Sequence, residues 1–486
     1  MPAADDATEA IGRPSTPAAA SASTPAGTNL TGSTLTQTIT IRPRQPARLR
    51  NIELPLLIVA CGISAGAMLL VQLGALGEIR SDVLWSGGLV LLLALVLHVV
   101  LRVVARDADP FVLPIALTLN GLGIAEIYRI DIPSWSGSNP THAGERQILW
   151  TTAALVVAII AIIAIKNYRI LARYRYIAMF VSIVFLLLPL VPGLGRRGLA
   201  ARVWIDVGPL SFQPGEIAKI TLAIFFAGYL VQARDSLSLM GPKILGMRFP
   251  RPRDLGPILI IWGMAMVVLV FEKDLGTSLL YFGLFLVMIY VATGKASWVV
   301  LGMVLFVGGA IAAALTQEYV HDRFEAWLNP LSNSVYGAPG GSYQLVTGLF
   351  GLANGGLIGT GFGQGSPGTT PLAQSDYIIA SLGEELGLAG LIAILGLYIL
   401  LVSRGFRIGF VGTDDFGRLL GVGLSFIIAL QVFVVMGGVT RVIPLTGLTM
   451  PFLAAGGSSL LSNWIIVALI LRLSDGIRTG PRAVVG

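Results

Sequence analysis

The chain has 486 residues, of which 55% are hydrophobic and only 12% are charged, and its mean hydropathy is +0.80. These values exclude an ordinary soluble protein, whose surface has to be solvated, and indicate an integral membrane protein. The net charge of +7 does not require nucleic acid as a partner, because a basic inner face against anionic lipids accounts for it.

The first segment, residues 1–50, is rich in Ala, Ser, Thr and Pro and has almost no large apolar side chain before Ile39. Because such a segment buries too little apolar surface to fold, we predict a disordered cytoplasmic tail. A signal peptide is excluded, since the start is acidic and no apolar core follows it.

Twelve apolar segments of roughly 20 residues follow, each long enough to cross about 30 Å of hydrocarbon as a helix. They lack the alternation of a membrane barrel, so the predicted fold class is all-α. The segments are 55–76, 83–104, 110–128, 147–165, 175–193, 213–231, 255–272, 275–293, 297–315, 376–402, 417–440 and 451–472. This pattern predicts a polytopic helix bundle with two accessory helices at 51–108, a ten-helix core at 109–475 and a cytoplasmic tail at 476–486.

The distribution of basic residues predicts the orientation. If the N-terminus is cytoplasmic, most of the 33 Lys and Arg residues lie in inner connections. Both termini are therefore predicted to be inside the cell. The single cysteine, Cys61, allows no intrachain disulfide and is interpreted as a small apolar filler.

The longest outer connection, 316–375, is predicted to be a large extracellular loop. It is rich in glycine and contains YQLVTGLFGLA, which is too short to span and is expected to lie in the interface or to re-enter the membrane. Loops of this length inside a compact bundle are usually functional. Its GTGFGQG stretch resembles a nucleotide-binding loop, but no strand precedes it and it lies on the wrong side of the membrane.

Ten basic residues are predicted on the outer side of the membrane, although Lys and Arg are generally enriched on the cytoplasmic side. Three of them, including Arg129, are placed in ordinary loops and given no role. The main cluster comprises Arg196, Arg197, Arg202 and Lys219. Such a cluster suits a diphosphate head group, because guanidinium groups match its oxygens. Anchoring to lipid phosphates, or a local pair of Glu216 with Lys219 at i,i+3, explains these residues equally well.

Asp376 stands where the large loop enters the next apolar segment. If its role is structural, the helix dipole would stabilise the carboxylate by about 0.3 to 1 kcal/mol at the start of a helix, and Ser375 would cap that helix. As chemistry, it would accept a proton from a sugar hydroxyl, and partial desolvation would raise its pKa and strengthen it as a base. Glu384 and Glu385 follow inside the same segment, where carboxylates tend to be functional or paired.

Five blocks in this order resemble the SEDS family (shape, elongation, division and sporulation) of membrane glycosyltransferases, which includes the RodA, FtsW and SpoVE types. The blocks are ARVWIDVGPLSFQPGEIAKI, FEKDLGTSLL, DRFEAWLNP, SDYIIASLGEELGLAG and GVTRVIPLTGLTMPFLAAGGSSLL. They are similar to the family elements GARRWI...FQPSE..K, PDLGT, DR....LNP, HTDFIFA..GEELG..G and G..LPVTG.PLPF.SYGGSSLL. The resemblance covers residues 110–475.

The resemblance implies a peptidoglycan glycosyltransferase that polymerises lipid II on the outer face of the bacterial cytoplasmic membrane. The 4-hydroxyl of one GlcNAc attacks the anomeric carbon of MurNAc and displaces undecaprenyl diphosphate with inversion. This reaction needs one base and a clamp for the leaving group. By motif position the base is Asp376. Substrate or diphosphate binding is assigned to Arg202, Lys219, Arg196, Arg197, Glu216, Asp274 and Arg441.

The sequence departs from the family pattern at several of these positions. Gln374 replaces the common histidine, so no histidine relay is available two residues before Asp376. Val203 replaces the second arginine of its block, which leaves Arg202 alone there, and Lys273 adds a cation next to Asp274. None of these changes removes the proposed base or the leaving-group contact.

The two accessory helices resemble the arrangement in high-GC Gram-positive members of the family. The ten-span remainder is more similar to the RodA branch, which predicts a role in cell elongation. The implied partners are lipid II, the nascent glycan strand, a class B penicillin-binding protein, the elongation machinery and membrane lipids. No tightly bound cofactor is expected. Mg²⁺ or Mn²⁺ on the substrate diphosphate is compatible with the sequence, whereas the three histidines form no metal-ligand motif.

Three alternatives remain open at this point. The first is a division-type, FtsW-like polymerase. The second is a lipid II flippase or secondary transporter, although the two halves show no convincing internal repeat of the transporter kind. The third is a scaffold without enzymatic activity that recruits a synthase.

Overall fold

The computed structural model describes residues 48–133, 142–192, 194–195, 203–207, 210–244, 247–338, 340–412 and 414–479. Over these ranges the chain is mostly helical and contains two short antiparallel hairpins. The predicted all-α fold class is confirmed. Most of the predicted N-terminal tail and part of the C-terminal tail lie outside the described residues.

The helices account for every predicted membrane segment. In chain order they are α1 (Arg48–Ala75), α2 (Ser81–Val104), α3 (Val112–Asp131), α4 (Ala143–Ala164), α5 (Ile170–Arg173), α6 (Arg175–Leu187), α7 (Gly215–Ser238), α8 (Gly256–Val267), α9 (Leu275–Thr293), α10 (Ala296–Thr316), α11 (Glu318–Leu328), α12 (Asn333–Tyr336), α13 (Tyr343–Gly355), α14 (Ile378–Val411), α15 (Asp415–Val439) and α16 (Gly457–Thr479). The hairpins pair β1 (Ile205–Val207) with β2 (Leu210–Phe212), and β3 (Met240–Ile244) with β4 (Met247–Pro250). The predicted segments correspond to α1–α4, α6–α10 and α14–α16.

Within the described ranges, nine helices are long and apolar enough to cross a bilayer, namely α1, α2, α4, α7, α9, α10, α14, α15 and α16. Helix α3 carries Glu126, Arg129 and Asp131 among its apolar residues. Helices α6 and α8 are shorter, and α8 continues as a π-helical turn at Val268–Glu272. The chain is therefore a multi-pass membrane protein, and the count of twelve spans stays a prediction.

The centre of the bundle is formed by α7, α9, α15 and α16, whose residues are mostly buried, whereas α1, α2 and α10 expose apolar faces at the rim. Exposed apolar faces are expected where the surrounding solvent is lipid. Close packing between helices relies on small residues. A Cβ on Gly421 of α15 would lie 2.9 Å from the Cα of Gly409 of α14, so α14 and α15 approach closely at this crossing.

Helix α14 is broken at Gly387, which has φ 68° and ψ −172°. The backbone of residues 356–361 fills the break. It donates two N–H groups to carbonyl oxygens before the break and accepts two from N–H groups after it, at 2.9 to 3.0 Å. A Cβ at residue 387 would lie 2.3 Å from the Gly359 nitrogen, so only glycine fits. The backbone groups freed by the break are thus satisfied by the large loop, as burial away from water requires.

Candidate functional site

Asp376 lies in the turn before α14, and its side chain is half-buried. The turn is held from two sides, because Ala455 donates its N–H to the Gln374 carbonyl at 2.7 Å and the Gln344 amide donates to the Pro371 carbonyl at 2.8 Å. The turn that carries Asp376 is therefore held by α13 and by the segment before α16.

The capping interpretation of this turn is wrong. The Ser375 hydroxyl donates to the Leu372 carbonyl at 3.3 Å, and the residue at the N-cap position of α14 is Tyr377, whose side chain makes no capping hydrogen bond. Asp376 itself precedes the first helical turn. Helix capping therefore does not explain the Asp376 carboxylate.

Two charged residues from other sequence blocks act on Asp376. Burial raises the pKa of Asp376 to about 6, while the Arg323 guanidinium lowers this pKa and the Asp274 carboxylate raises it. Burial also raises the pKa of Asp274, with the hydrogen bonds from Thr277 and the charge of Arg323 acting in the opposite direction. Asp376, Asp274 and Arg323 thus form one electrostatic cluster, which we call the outer cluster after the side of the membrane that the sequence predicts for it.

Arg323 was not among the predicted site residues, although it belongs to the DRFEAWLNP block that signalled the start of the large loop. Its guanidinium donates to the Leu445 carbonyl at 2.9 Å and lies 5.4 Å from the ring centroid of Tyr319. Helix α11 therefore carries the cation of the outer cluster. Its motif position and its place among the basic residues predicted on the outer side were the signals that could have found it.

Asp274 is the N-cap of α9. Its carboxylate accepts hydrogen bonds from the Thr277 N–H at 2.9 Å and from the Thr277 hydroxyl at 2.5 Å. These contacts explain why an Asp is followed three residues later by Thr at this helix start. A substrate contact of Asp274 stays a prediction.

Glu216 and Lys219 form the buried ion pair that their i,i+3 spacing allows. The Lys219 ammonium lies 2.6 Å from Glu216 Oε2 and donates to Gln431 at 3.1 Å and Asn463 at 3.4 Å. Ser462 donates to the same Glu216 oxygen at 2.7 Å. An ammonium has three donors, and here each has a protein acceptor. The pair thus joins α7 to α15 and α16, and its predicted contact with a diphosphate stays a prediction.

Arg441 holds the end of α11 in place. Its Nε donates to the Trp327 carbonyl at 2.8 Å and its Nη2 donates to the Leu328 carbonyl at 3.0 Å, while the Trp327 indole donates to the Arg441 carbonyl at 3.0 Å. A cation at this position also complements the helix dipole. Its assignment to substrate binding stays a prediction.

The predicted cationic residues Arg196, Arg197 and Arg202 lie outside the described residues. The chain after them forms the β1–β2 hairpin, after which the Gln213 N–H donates to the Ser458 hydroxyl at 2.9 Å. This contact attaches the start of α7 to the start of α16.

Arg129 was interpreted as an ordinary loop residue, and this interpretation is wrong. It lies in the last turn of α3, where its Nε pairs with Glu385 at 3.1 Å and its Nη2 donates to the Gly365 carbonyl at 2.7 Å. Glu385 accepts the Gly363 N–H at 3.0 Å, and Glu384 accepts the Ser366 N–H at 3.0 Å. These intramembrane carboxylates anchor the large loop to the bundle.

An apolar cleft of about 380 Å³ lies among helices that include α9 and α11, which carry Asp274 at the N-cap and Arg323. Its walls come from α8, α9, α10, α11 and α15 and include Leu275, next to Asp274, and Phe324, next to Arg323. The cleft can hold an apolar chain. Over the described part of the chain, no three His, Cys, Asp or Glu side chains converge as metal ligands, and the expectation about metal stays a prediction.

Comparison with known proteins adds independent findings. A family model for FtsW, RodA and SpoVE, described as "Cell cycle protein", matches residues 110–478. The chain is 43% identical to "Peptidoglycan glycosyltransferase RodA" of Mycobacterium tuberculosis (strain ATCC 25618 / H37Rv), over 91% of this chain and 95% of that protein. It is 28% identical to "Probable peptidoglycan glycosyltransferase FtsW" of Trichlorobacter lovleyi, over 77% of this chain and 95% of that protein.

A solved structure has a similar fold. It comes from work titled "Structural coordination of polymerization and crosslinking by a peptidoglycan synthase complex". The TM-score is 0.60 at 24% identity, and the match covers 77% of this chain and 99% of that one. At this identity the likeness shows the fold alone.

Proposed function

Because this chain belongs to the FtsW, RodA and SpoVE family, the SEDS family, we propose that it polymerises lipid II into β1,4-linked glycan strands for cell elongation. It is a peptidoglycan glycosyltransferase of the RodA type, since its identity to a RodA protein is 43% over nearly its whole length. Identity to the FtsW protein is only 28% over a shorter span, so a division role is not favoured.

One observation supports the mechanism most directly, namely a half-buried carboxylate whose pKa is raised to about 6 and which interacts with Arg323. A base with this pKa is ionised at neutral pH and is a stronger proton acceptor than an exposed aspartate. Asp376 would take the proton of the acceptor 4-hydroxyl as that oxygen bonds to the anomeric carbon of the donor. The bond from this carbon to the diphosphate breaks, and its electron pair leaves with undecaprenyl diphosphate.

Stabilising the departing diphosphate requires positive charge near the base. Arg323 supplies such a charge in the outer cluster. Arg202 is proposed as a further contact because of its motif position, and Arg196 and Arg197 because they cluster with it in the sequence. A Mg²⁺ or Mn²⁺ ion would accompany the diphosphate as part of the substrate. The apolar cleft lined by Leu275 and Phe324 is proposed to receive the polyprenyl chain.

The orientation and the partners belong to the same proposal. Both termini are placed in the cytoplasm and Asp376 on the extracellular face, following the distribution of Lys and Arg. A class B penicillin-binding protein is proposed as the partner, because the related fold was solved in work on a synthase complex that couples polymerisation to crosslinking.

The purified, reconstituted protein is expected to convert fluorescent lipid II into glycan polymer without added transpeptidase. The product is resolved as a ladder on a gel and disappears on digestion with a muramidase. Translocation of lipid II across liposomes without polymer would support the flippase alternative instead. Polymer that forms only when a separate synthase is added would indicate a scaffold.

The rate of polymerisation is expected to rise with pH and to have its midpoint at about 6, because Asp376 accepts a proton only when ionised and its pKa is raised to about 6. Initial rates measured between pH 5 and 8 at lipid II concentrations well below saturation would show this profile, because they report the pKa of the free enzyme. Because Arg323 lowers the pKa of Asp376, the Arg323→Gln variant is expected to have its midpoint at higher pH. A flat profile over the whole range would exclude Asp376 as the titrating base.

A further inference from the structure

A second apolar cleft, of about 190 Å³, lies between the accessory helices α1 and α2 and the core. Helix α1 packs on α3 and α2 packs on α4, but over the described residues α1 and α2 make little contact with each other. The surface of α3 between them therefore forms the floor of the cleft. The lining residues from α3 and α4 are Leu117, Asn120, Gly121, Ile124 and Ile148.

Gln72 provides a hydrogen-bond donor in the lining of this cleft. Its side chain is only 1% exposed and its Oε1 accepts the Arg80 N–H at 3.3 Å, but its Nε2 has no hydrogen-bond partner among the residues that the structure describes. Leaving a buried donor unpaired costs about 1 to 3 kcal/mol. The other amide in the lining, Asn120, is already bonded to Thr151 and Trp464. Gln72 therefore indicates a ligand that carries an acceptor.

The position of Gln72 indicates what kind of ligand this is. Gln72 lies three residues before the end of α1, near the membrane surface, whereas Ser64 in the same lining lies about 12 Å deeper at 1.5 Å per residue. The polar end of the cleft is thus close to the surface and the apolar part runs toward the bilayer centre. A glycerophospholipid has this arrangement, with an ester carbonyl at the interface and an acyl chain below it.

We propose that this cleft binds the acyl chain of a membrane phospholipid and that Gln72 Nε2 donates to its ester carbonyl. The lipid then completes the contact between the accessory helices and the core. A neutral amide matches a neutral carbonyl, whereas a polyprenyl diphosphate joins its charge directly to the apolar chain and needs a cation instead. This site is separate from the outer cluster, and its occupancy does not depend on the proposed reaction.

Gly88 allows the cleft to be filled from α2. A Cβ added at Gly88, which lines the cleft, would meet no atom within 4 Å. Gly62 is equally open but lies on an exposed part of α1 outside the lining, so Gly62→Leu is the matched control. Native mass spectrometry of detergent-purified protein titrated with phosphatidylglycerol is expected to show one fewer retained lipid for Gly88→Leu than for the wild type and Gly62→Leu.

Gln72→Leu tests the polar contact without adding bulk, and it decides the question if Gly88→Leu does not fold. Loss of one ordinary hydrogen bond is expected to raise the half-saturating phosphatidylglycerol concentration roughly fivefold. Unchanged retention in both variants would overturn the proposal. So would preferential retention of undecaprenyl phosphate, titrated in parallel, over phosphatidylglycerol in the wild type.

Discussion

The Asp376→Asn variant is expected to lose glycan polymerisation while it keeps its fold and its affinity for lipid II. A general base contributes about 10² to 10⁴ in rate, and an amide of the same shape cannot accept the proton of the attacking hydroxyl. Because burial already disfavours the charged carboxylate, replacing it by a neutral group should not lower stability.

This result would be measured as the initial rate of glycan formation from fluorescent lipid II, together with the melting temperature of the purified protein. Asp322→Asn is the matched control, since Asp322 is the exposed carboxylate next to Arg323 on the same helix. The control is expected to retain full activity. If Asp376→Asn made polymer at the wild-type rate, the assigned base would be wrong.

The Lys219→Met variant is expected to show the largest loss of stability. Lys219 is 1% exposed, and its removal leaves the Glu216 carboxylate buried without its cation. Breaking a buried ion pair from one side typically costs about 3 to 5 kcal/mol, whereas replacing both partners is often neutral. The double variant Glu216→Gln/Lys219→Met is therefore expected to recover most of the lost stability.

Denaturation in detergent would give the free energies of unfolding for this pair of variants. Arg234→Met serves as the control, because its pair with Asp415 at 3.1 Å is exposed on both sides and should contribute less than about 1 kcal/mol. The activity of the double variant then separates two roles of Lys219. A stable but inactive protein supports a substrate contact, and a stable and active protein restricts Lys219 to holding the helices together.

The sequence located the helices well because hydropathy decides which segments lie in lipid. Every predicted segment coincides with a helix, and the i,i+3 pair of Glu216 and Lys219 was visible from local spacing. Contacts between distant parts of the chain were not visible. Arg129 meets Glu385 across 256 positions, and the α14 break is filled by backbone from the preceding loop, so local pattern gave no sign of either.

Residues 356–361 replace the backbone hydrogen bonds that α14 loses at its break. These residues bond to α14 on both sides of Gly387 and so connect the two portions of the helix, with Asp376 just ahead of the first helical turn. A protein that displaced residues 356–361 would therefore also act on the helix that begins just after the proposed base.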